Sequence, residues 1–130
     1  MRWTVLYDGG CGFCRWCTGV LLAWDRRGAL RPAELRSAEA DRLLAGMGDL
    51  ERYGSWHLVA PDGTVHSRGR AAAPLLRLLP GGRPMAAVIA RAPRLADRAY
   101  AAAVRHRSTL GRLVGPAARA RADRRLAARA

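Results

Sequence analysis

Lysine is absent from this chain of 130 residues, and all 23 of its basic residues are arginine. Cysteine is scarce as well: three residues are fewer than a secreted disulfide scaffold carries, and the number is odd. No long apolar run is present, because the most apolar late stretch, 85–104, contains four charged residues, so we expect no membrane span. An apolar alternating run begins at residue 3 and leaves no space for a secretory leader. We therefore expect a cytoplasmic protein whose thiols are mostly reduced.

The positive charge is unevenly distributed along the chain. Residues 1–82 carry a net charge of +3 and residues 83–130 carry +10, out of a total of +13. Such a basic segment is typical of proteins that bind nucleic acid or another anionic surface. A GC-rich coding sequence, which favours Arg, Ala and Gly codons together, explains it as well. Tyr100 is the only Phe, Trp or Tyr residue of the segment, so the segment has few side chains on which bases could stack. We therefore do not expect nucleic acid as the partner.

Apolar periodicity predicts the element order βαβαββα for the first 82 residues. The predicted strands are Trp3–Asp8, Leu30–Leu35, Ser55–Ala60 and Thr64–Ser67; the predicted helices run from Phe13 to about Gly28, from Ser37 to about Met47, and from Arg70 to Leu79. The first strand is nearly all apolar and is predicted to be central, whereas Pro32 favours an edge position for the second. A right-handed parallel βαβ unit followed by a hairpin is the order of a minimal thioredoxin-like α/β fold.

From Pro84 onward the sequence predicts only helices. An apolar helical stripe runs from Met85 to Val104, with a break or kink at Pro93. We expect residues 83–115 to form a helical extension that packs on a thioredoxin-like domain of residues 1–82. Residues 116–130 are mainly Ala and Arg with one Leu, and we expect a basic tail that is frayed or disordered.

Two cysteines lie three residues apart at the turn between the first strand and the first helix. Cys11 falls at the helix N-terminus, where unpaired N–H groups and the helix dipole favour a thiolate, which is the nucleophilic form. Cys14 lies one turn further along and is the candidate resolving thiol for a mixed disulfide at Cys11. Alternatively, the two cysteines are ordinary small residues of a glycine-rich turn with no chemical role. Their position between the strand and the helix favours a redox dithiol over this alternative.

Several neighbours of this turn have alternative interpretations. Asp8 either accepts and relays the proton of Cys14 or caps the glycine turn. Cys17, on the apolar stripe of the helix, is expected to be buried and inert, since a bridge to Cys14 on the next helical turn would be strained. Three thiols spread along one helix, with no second CxxC, do not favour a metal site, so we expect no bound metal. Trp56 either packs in the core or forms the floor of a substrate groove near the thiols.

The segment Tyr7-Asp8-Gly9-Gly10-Cys11-Gly12-Phe13-Cys14 resembles the signature of the DCC family, thioredoxin-like proteins named for an Asp followed by two Cys in the pattern DxxCxxC. The resemblance covers about residues 3–114. It implies a thiol–disulfide oxidoreductase in which Cys11 and Cys14 are the redox pair and Asp8 is the signature acid.

Later segments support the same resemblance. Trp24-Asp25-Arg26-Arg27-Gly28 is similar to the family's usual end of the first helix, and Asp62-Gly63 to its hairpin. Tyr100 and Arg107 lie where the family tends to have a Tyr and an Arg in a C-terminal helix. Ordinary thioredoxins have a cis-proline before the third strand, facing the CxxC, and here Ser55 stands at about that point.

We predict dithiol–disulfide exchange, in which the Cys11 thiolate attacks a disulfide and Cys14 resolves the intermediate. The expected partners are a protein or small-molecule disulfide or dithiol and an external thiol reductant system, with no cofactor required. Two other classes stay open. One is a redox-responsive binding module without turnover, and the other is a nucleic-acid or anionic-surface binder that uses the Arg-rich C-terminal segment.

Overall fold

The computed structural model describes residues 2–129, which form a four-stranded sheet flanked by helices. The strands are β1 (Trp3–Tyr7), β2 (Leu30–Glu34), β3 (His57–Val59) and β4 (Val65–Ser67). The helices are α1 (Gly12–Trp24), α2 (Ala38–Leu43), α3 (Asp49–Tyr53), α4 (Ala72–Leu78), α5 (Arg83–Ala90), α6 (Pro93–Arg105), α7 (Arg107–Leu113) and α8 (Pro116–Arg129). A single 3₁₀ turn, Arg68–Ala71, leads into α4.

The sheet has the strand order β2-β1-β3-β4. Strands β1 and β2 are parallel, and β3 is antiparallel to both β1 and β4. This topology confirms the predicted thioredoxin-like α/β fold with C-terminal helices. β1 is central, as its apolar sequence predicts. Pro32 lies in the edge strand β2, where a residue without an N–H is tolerated because one side of the strand has no partner strand.

Alternation along β1 divides its side chains between two cores. Val5 and Tyr7 pack in a cluster to which α1, α4, α5 and α8 contribute, for example through Leu22 of α1. Leu6 points to the opposite face and packs with Leu44 in a smaller cluster beside α2. Because β1 is anchored on both faces, the turn that follows it has a defined position at the start of α1.

The predicted helix after Ser37 is shorter than its apolar pattern indicates. Ser37 caps it as expected, since its Oγ accepts a hydrogen bond from the N–H of Ala40 at 3.2 Å. α2 nevertheless ends at Leu43, and Gly46, with φ of +87°, lets the chain turn. Residues 49–53 then form α3, which the sequence analysis did not predict. Met47 continues the helical spacing across the turn, and periodicity alone therefore missed the break.

The C-terminal helices pack on the sheet domain, and the chain breaks between α5 and α6 just before Pro93, as predicted. Gly69 of the 3₁₀ turn lies so close to the carbonyl group of Ala96 in α6 that there is no room for a Cβ. Arg70 of the same turn donates to Asp97 Oδ2 at 3.0 Å. These contacts hold α6 against the start of α4. The domain boundary at residue 82 stays a prediction.

Residues 116–129, for which the sequence predicts a frayed helix or disorder, form the helix α8; Ala130 lies outside the described residues. Ala122 and Leu126 are buried, and α8 packs along α1. A Cβ added to Gly19 would lie 2.6 Å from the Cβ of Ala122. Small residues on both helices allow this close approach. An Ala-rich helix can therefore dock with few large apolar side chains, which composition alone does not reveal.

The end of α8 is attached to the loop between α1 and β2 by a buried ion pair. Asp25 is fully buried, and its carboxylate accepts from the N–H groups of Ala29 and Leu30 at 3.0 and 2.9 Å. Arg129 donates to Asp25 Oδ2 and to the Asp25 carbonyl oxygen, each at 2.9 Å. Burial alone would raise the pKa of Asp25, but the Leu30 N–H and the Arg129 guanidinium outweigh it and hold that pKa below its ordinary value.

Gly19→Ala is expected to lower the free energy of unfolding by about 1–3 kcal/mol, the usual range for overpacking. The new methyl group would overlap Ala122 and force α8 away from α1. Gly12→Ala is the matched control in the same helix, because a Cβ there meets nothing within 4 Å. Denaturant unfolding followed by circular dichroism measures both variants. Equal effects at the two positions would contradict the close contact between the helices.

Candidate active site

The turn between β1 and α1 presents Cys11 at the helix N-terminus. Cys11 is the N-cap residue of α1, with extended backbone angles of φ −107° and ψ 114°. Asp8 holds the turn: its carbonyl oxygen accepts from the N–H of Cys11 at 3.2 Å, and its Oδ1 accepts from the N–H of Gly10 at 3.0 Å. Of the two roles considered for Asp8, the structure thus displays the structural cap.

The two thiols of the CxxC segment are in contact. Cys14 Sγ donates a hydrogen bond to Cys11 Sγ at 2.7 Å, and the backbone N–H of Cys14 donates to the same sulfur at 3.3 Å. Both cysteines are partly exposed. Cys11 Sγ thus accepts both hydrogen bonds, and Cys14 is the donor of the pair.

The surroundings of Cys14 keep it protonated at neutral pH. Burial raises the pKa of Cys14 far above its ordinary value, and the hydrogen bond to Cys11 acts in the same direction. The negative charge of Asp8 raises the pKa further, whereas the positive charge of Arg107 opposes the shift. The charges of Asp8 and Arg107 therefore both act on the Cys14 thiol, although the two residues are far apart in the sequence.

Cys17, one turn beyond Cys14, is half-buried rather than fully buried as expected. Burial, followed by the charge of Cys11, raises its pKa to about 11, so it is a thiol at neutral pH. No metal-ligand geometry surrounds these cysteines: within residues 2–129, no group of three or more His, Cys, Asp or Glu side chains is arranged to hold an ion.

A cavity of about 430 Å³, here called the thiol cavity, lies beside Cys14 and Cys17. Asp8 and Arg107 also line it. The rest of the wall is mainly apolar, and its aromatic side chains are Tyr7, Phe13, Trp16, Tyr53, Trp56 and Tyr100. Trp56 packs against the main core cluster, as one of its two interpretations expects, and it also lines the thiol cavity; its role as the floor of a substrate groove stays a prediction.

Ser55, two residues before β3, belongs to the wall of the thiol cavity. Its Oγ donates to the carbonyl oxygen of Trp56 at 2.6 Å and accepts from the N–H of Arg68 at 2.8 Å. The N–H of Trp56 donates to Tyr100 Oη at 3.2 Å. All peptide bonds between residues 2 and 129 are trans. At the point where ordinary thioredoxins have a cis-proline, this chain has a serine whose hydroxyl bonds within the protein.

Sequence reasoning did not single out every residue of the cavity. Tyr53 belongs to the unpredicted helix α3, and Val104 was assigned only to a core stripe. Tyr100 and Arg107 were indicated by the family resemblance alone. The packing of α6 and α7 brings them into the wall of the thiol cavity, and no pattern within the sequence connects them with the CxxC segment.

Some of the C-terminal arginines have structural partners. Arg119 donates to the carbonyl oxygen of Gly111, and Arg129 binds Asp25; the C-terminal Asp123 pairs with Arg15 of α1 at 2.7 Å. Some of the arginines in this segment therefore serve helix packing and need no anionic partner outside the protein. In the part of the chain that the structure describes, no helix is both long enough and apolar enough to cross a membrane.

Comparison with known proteins gave one family match. A family model described as DCC1-like thiol-disulfide oxidoreductase matches residues 5–113. The matched range starts in β1 and ends at the last residue of α7, so it contains the thiol turn and the two helices that carry Tyr100 and Arg107. Searches of curated proteins and of solved structures gave no significant match.

Proposed function

The chain belongs to the DCC1-like thiol-disulfide oxidoreductase family, and from this premise we propose that Cys11 and Cys14 are the dithiol of a thiol–disulfide exchange. The observation that carries the proposal is the contact of the two sulfurs, 2.7 Å apart, at the N-terminus of α1. Exchange requires two sulfurs that can meet and one that is favoured as a thiolate. The geometry of this turn supports both requirements.

Cys11 is the attacking sulfur in this proposal. Its thiolate attacks one sulfur of a substrate disulfide, the substrate S–S bond breaks, and the second substrate sulfur leaves as a thiolate that is protonated by solvent. The product is a mixed disulfide between Cys11 and half of the substrate. The partial exposure of Cys11 and the two hydrogen bonds that its sulfur accepts from Cys14 support this role.

Cys14 is the resolving sulfur. It loses its proton and attacks Cys11 Sγ, so the mixed disulfide breaks and the remaining half of the substrate leaves as a thiolate. The protein then holds a Cys11–Cys14 disulfide and has transferred two electrons to the substrate; an external thiol system returns it to the dithiol. Because burial raises the pKa of Cys14, a base is needed at the moment of attack.

Asp8 is the base that we assign to this step. It lines the thiol cavity together with Cys14, and its negative charge acts on the Cys14 thiol. One carboxylate oxygen is held by the N–H of Gly10, which orients the group, and a carboxylate has a second oxygen that can take up a proton. The structural cap and the proton acceptor are then two roles of a single side chain.

The reduction potential of the pair tests the proposal. The protein is equilibrated in glutathione buffers of graded poise, and its free thiols are alkylated and counted by mass spectrometry. We expect a reversible two-electron transition of Cys11 and Cys14, whose sulfurs are in contact, while Cys17 remains a thiol, because a bridge between cysteines on consecutive turns of one helix is strained. Absence of this disulfide at every poise would overturn the proposal. A reversible pair that reduces no model disulfide would instead identify a redox-responsive binding module.

A further inference from the structure

The thiol cavity has the size and the lining of a small-molecule site. Its volume of about 430 Å³ lies within the range of ligand pockets, roughly 300–1,000 Å³. Trp16 lines it from α1, Trp56 from the segment before β3, and Val104 from α6. Indole rings offer large apolar surfaces that pack favourably against other rings. The cavity therefore suits an aromatic or bulky apolar group.

The position of the thiols relates this cavity to the exchange reaction. Cys14 lines the cavity, and Cys11 Sγ lies 2.7 Å from Cys14 Sγ. A substituent on the sulfur that Cys11 attacks therefore has the cavity as neighbouring buried space. Disulfides whose substituent fills that space would gain binding energy next to the reacting atoms, which orients them for attack.

Arg107 supplies a positive charge to the same cavity. It is an exposed residue at the start of α7, and among the salt bridges found within residues 2–129 none involves its guanidinium. Burial is the largest cause of the raised pKa of Cys14. The positive charge of Arg107 lowers that pKa, so the charge of Arg107 acts on the thiol. A guanidinium binds a carboxylate through two parallel hydrogen bonds. The surplus of 13 positive charges on the chain also attracts anions from solution.

We propose that the thiol cavity is the substrate subsite for a low-molecular-weight aromatic disulfide that carries a carboxylate. The aromatic group lies between Trp16 and Trp56, the carboxylate binds Arg107, and the sulfur meets Cys11. This proposal rests on the exchange function of the Cys11–Cys14 pair. Tyr100 Oη accepts from the N–H of Trp56 and keeps its own O–H, which can donate to the same carboxylate.

The protein dithiol supplies the two electrons that reduce the substrate disulfide at this subsite. Cys11 attacks the sulfur of the half that occupies the cavity, and the outer half leaves as a thiolate. Cys14 then attacks Cys11 and releases the bound half as a second thiolate. One substrate disulfide and one protein dithiol thus give two aromatic thiols and one protein disulfide, and an external thiol reductant restores the dithiol.

Three disulfides separate the contributions to recognition. Dithiobis-nitrobenzoate is aromatic and anionic, dithiodipyridine is aromatic and uncharged, and hydroxyethyl disulfide is neither. The 130-residue chain is reduced, freed of reductant and mixed with each of them, and the second-order rate constant of its oxidation is compared as a ratio between substrates. Ratios cancel any change in thiol reactivity that a substitution causes, so they report recognition alone.

Arg107→Gln is expected to lower the ratio of dithiobis-nitrobenzoate to dithiodipyridine about tenfold or more, the loss typical of a charged hydrogen bond. Arg107→Lys, which keeps the charge, is expected to recover part of it. Trp56→Ala is expected to lower the ratio of dithiodipyridine to hydroxyethyl disulfide several-fold. Arg105→Gln, at an exposed arginine of α6 outside the cavity lining, is the matched control and should leave both ratios as they are.

A binding measurement with a compound that has no disulfide tests the subsite separately from the exchange reaction. Nitrobenzoate, which carries no disulfide, is titrated into the protein, and tryptophan fluorescence is recorded, since Trp16 and Trp56 line the cavity. Saturable quenching that Arg107→Gln weakens and Arg105→Gln does not would support the subsite. Quenching without saturation, or equal in all variants, would overturn it.

The failures of the two proposals are distinguishable. If hydroxyethyl disulfide is reduced but the substrate ratios do not respond to Arg107→Gln or Trp56→Ala, the subsite is wrong and the exchange function stands. If nitrobenzoate binds at Arg107 but no disulfide is reduced, the exchange function is wrong, and the substrate proposal fails with it. If a protein disulfide is reduced faster while the small disulfides show no selectivity, the substrate is a macromolecule and the subsite proposal is overturned.

Discussion

Cys11→Ser will abolish disulfide reduction, and Cys14→Ser will accumulate a mixed disulfide on Cys11. A serine hydroxyl is not ionised at neutral pH and forms no S–S bond, so loss of the Cys11 thiolate should reduce turnover by about a thousandfold or more. Cys14→Ser leaves the first attack possible and removes the second, because the group 2.7 Å from Cys11 Sγ can no longer displace the substrate. The two variants therefore fail at different steps.

Cys17→Ser is the matched control, since it is the same substitution one turn further along α1. It is expected to keep the full redox transition of the pair and most of the turnover of hydroxyethyl disulfide, which has no aromatic group to place in the thiol cavity that Cys17 lines. Turnover is followed with a model disulfide under excess thiol reductant, and the trapped species is identified as a mass increase on Cys11. Full activity of Cys11→Ser, or trapping on Cys17 in place of Cys11, would show that the assignment of the nucleophile is wrong.

Arg129→Ala will lower the free energy of unfolding by about 2–3 kcal/mol, the largest stability effect that we expect from a single surface-to-core contact. Asp25 is fully buried, and the substitution removes the positive charge that pairs with it. Breaking a buried ion pair usually costs about 3–5 kcal/mol. The expected value is smaller because Asp25 keeps its hydrogen bonds from Ala29 and Leu30 and because Arg129 is partly exposed.

The effect of Arg129→Ala should depend on pH in a defined direction. The pKa of Asp25 is lowered in the folded protein, so its contribution to stability is present above the unfolded value of about 4 and is lost as the pH falls through the folded value. The stability difference between wild type and Arg129→Ala should therefore be constant near neutral pH and shrink below about pH 4. Arg125→Ala, at an exposed arginine of the same helix, is the control. A difference that grows on acidification would contradict the ion pair.

Local sequence was sufficient to predict the thiol turn. Val5 and its apolar neighbours specify a buried strand, the glycines after Asp8 specify a turn, and the apolar stripe from Phe13 specifies a helix. Cys11 is the N-cap residue and Cys14 lies in the first turn of α1, so the capping geometry at the helix start brings their sulfurs together. The parallel pairing of β1 and β2, the central position of β1 and the edge position of β2 were also predicted, whereas the full strand order comes from the structure.

Sequence patterns failed where packing depends on small or distant residues. Gly19 and Ala122 have no large apolar side chains, so the docking of α8 on α1 leaves almost no periodic signal. Asp25 and Arg129 are separated by 104 positions, and either one alone is indistinguishable from an ordinary surface charge. The short helix α3 was not predicted because none of its residues is buried, so it has no apolar stripe that periodicity could detect.

The sequence by itself determined the residues of the proposed exchange and the order of elements that holds them: two cysteines at a helix N-terminus, an acid three residues before the first of them, and a thioredoxin-like order of strands and helices. These features are local, and backbone geometry decides them over a few residues. Only the tertiary structure decided the surroundings of the thiols. Tyr53, Trp56, Tyr100 and Arg107 come from separate elements, and they line one cavity beside Cys14 because α6 and α7 pack across the sheet domain. Such convergence depends on the packing of whole helices, which no local pattern encodes.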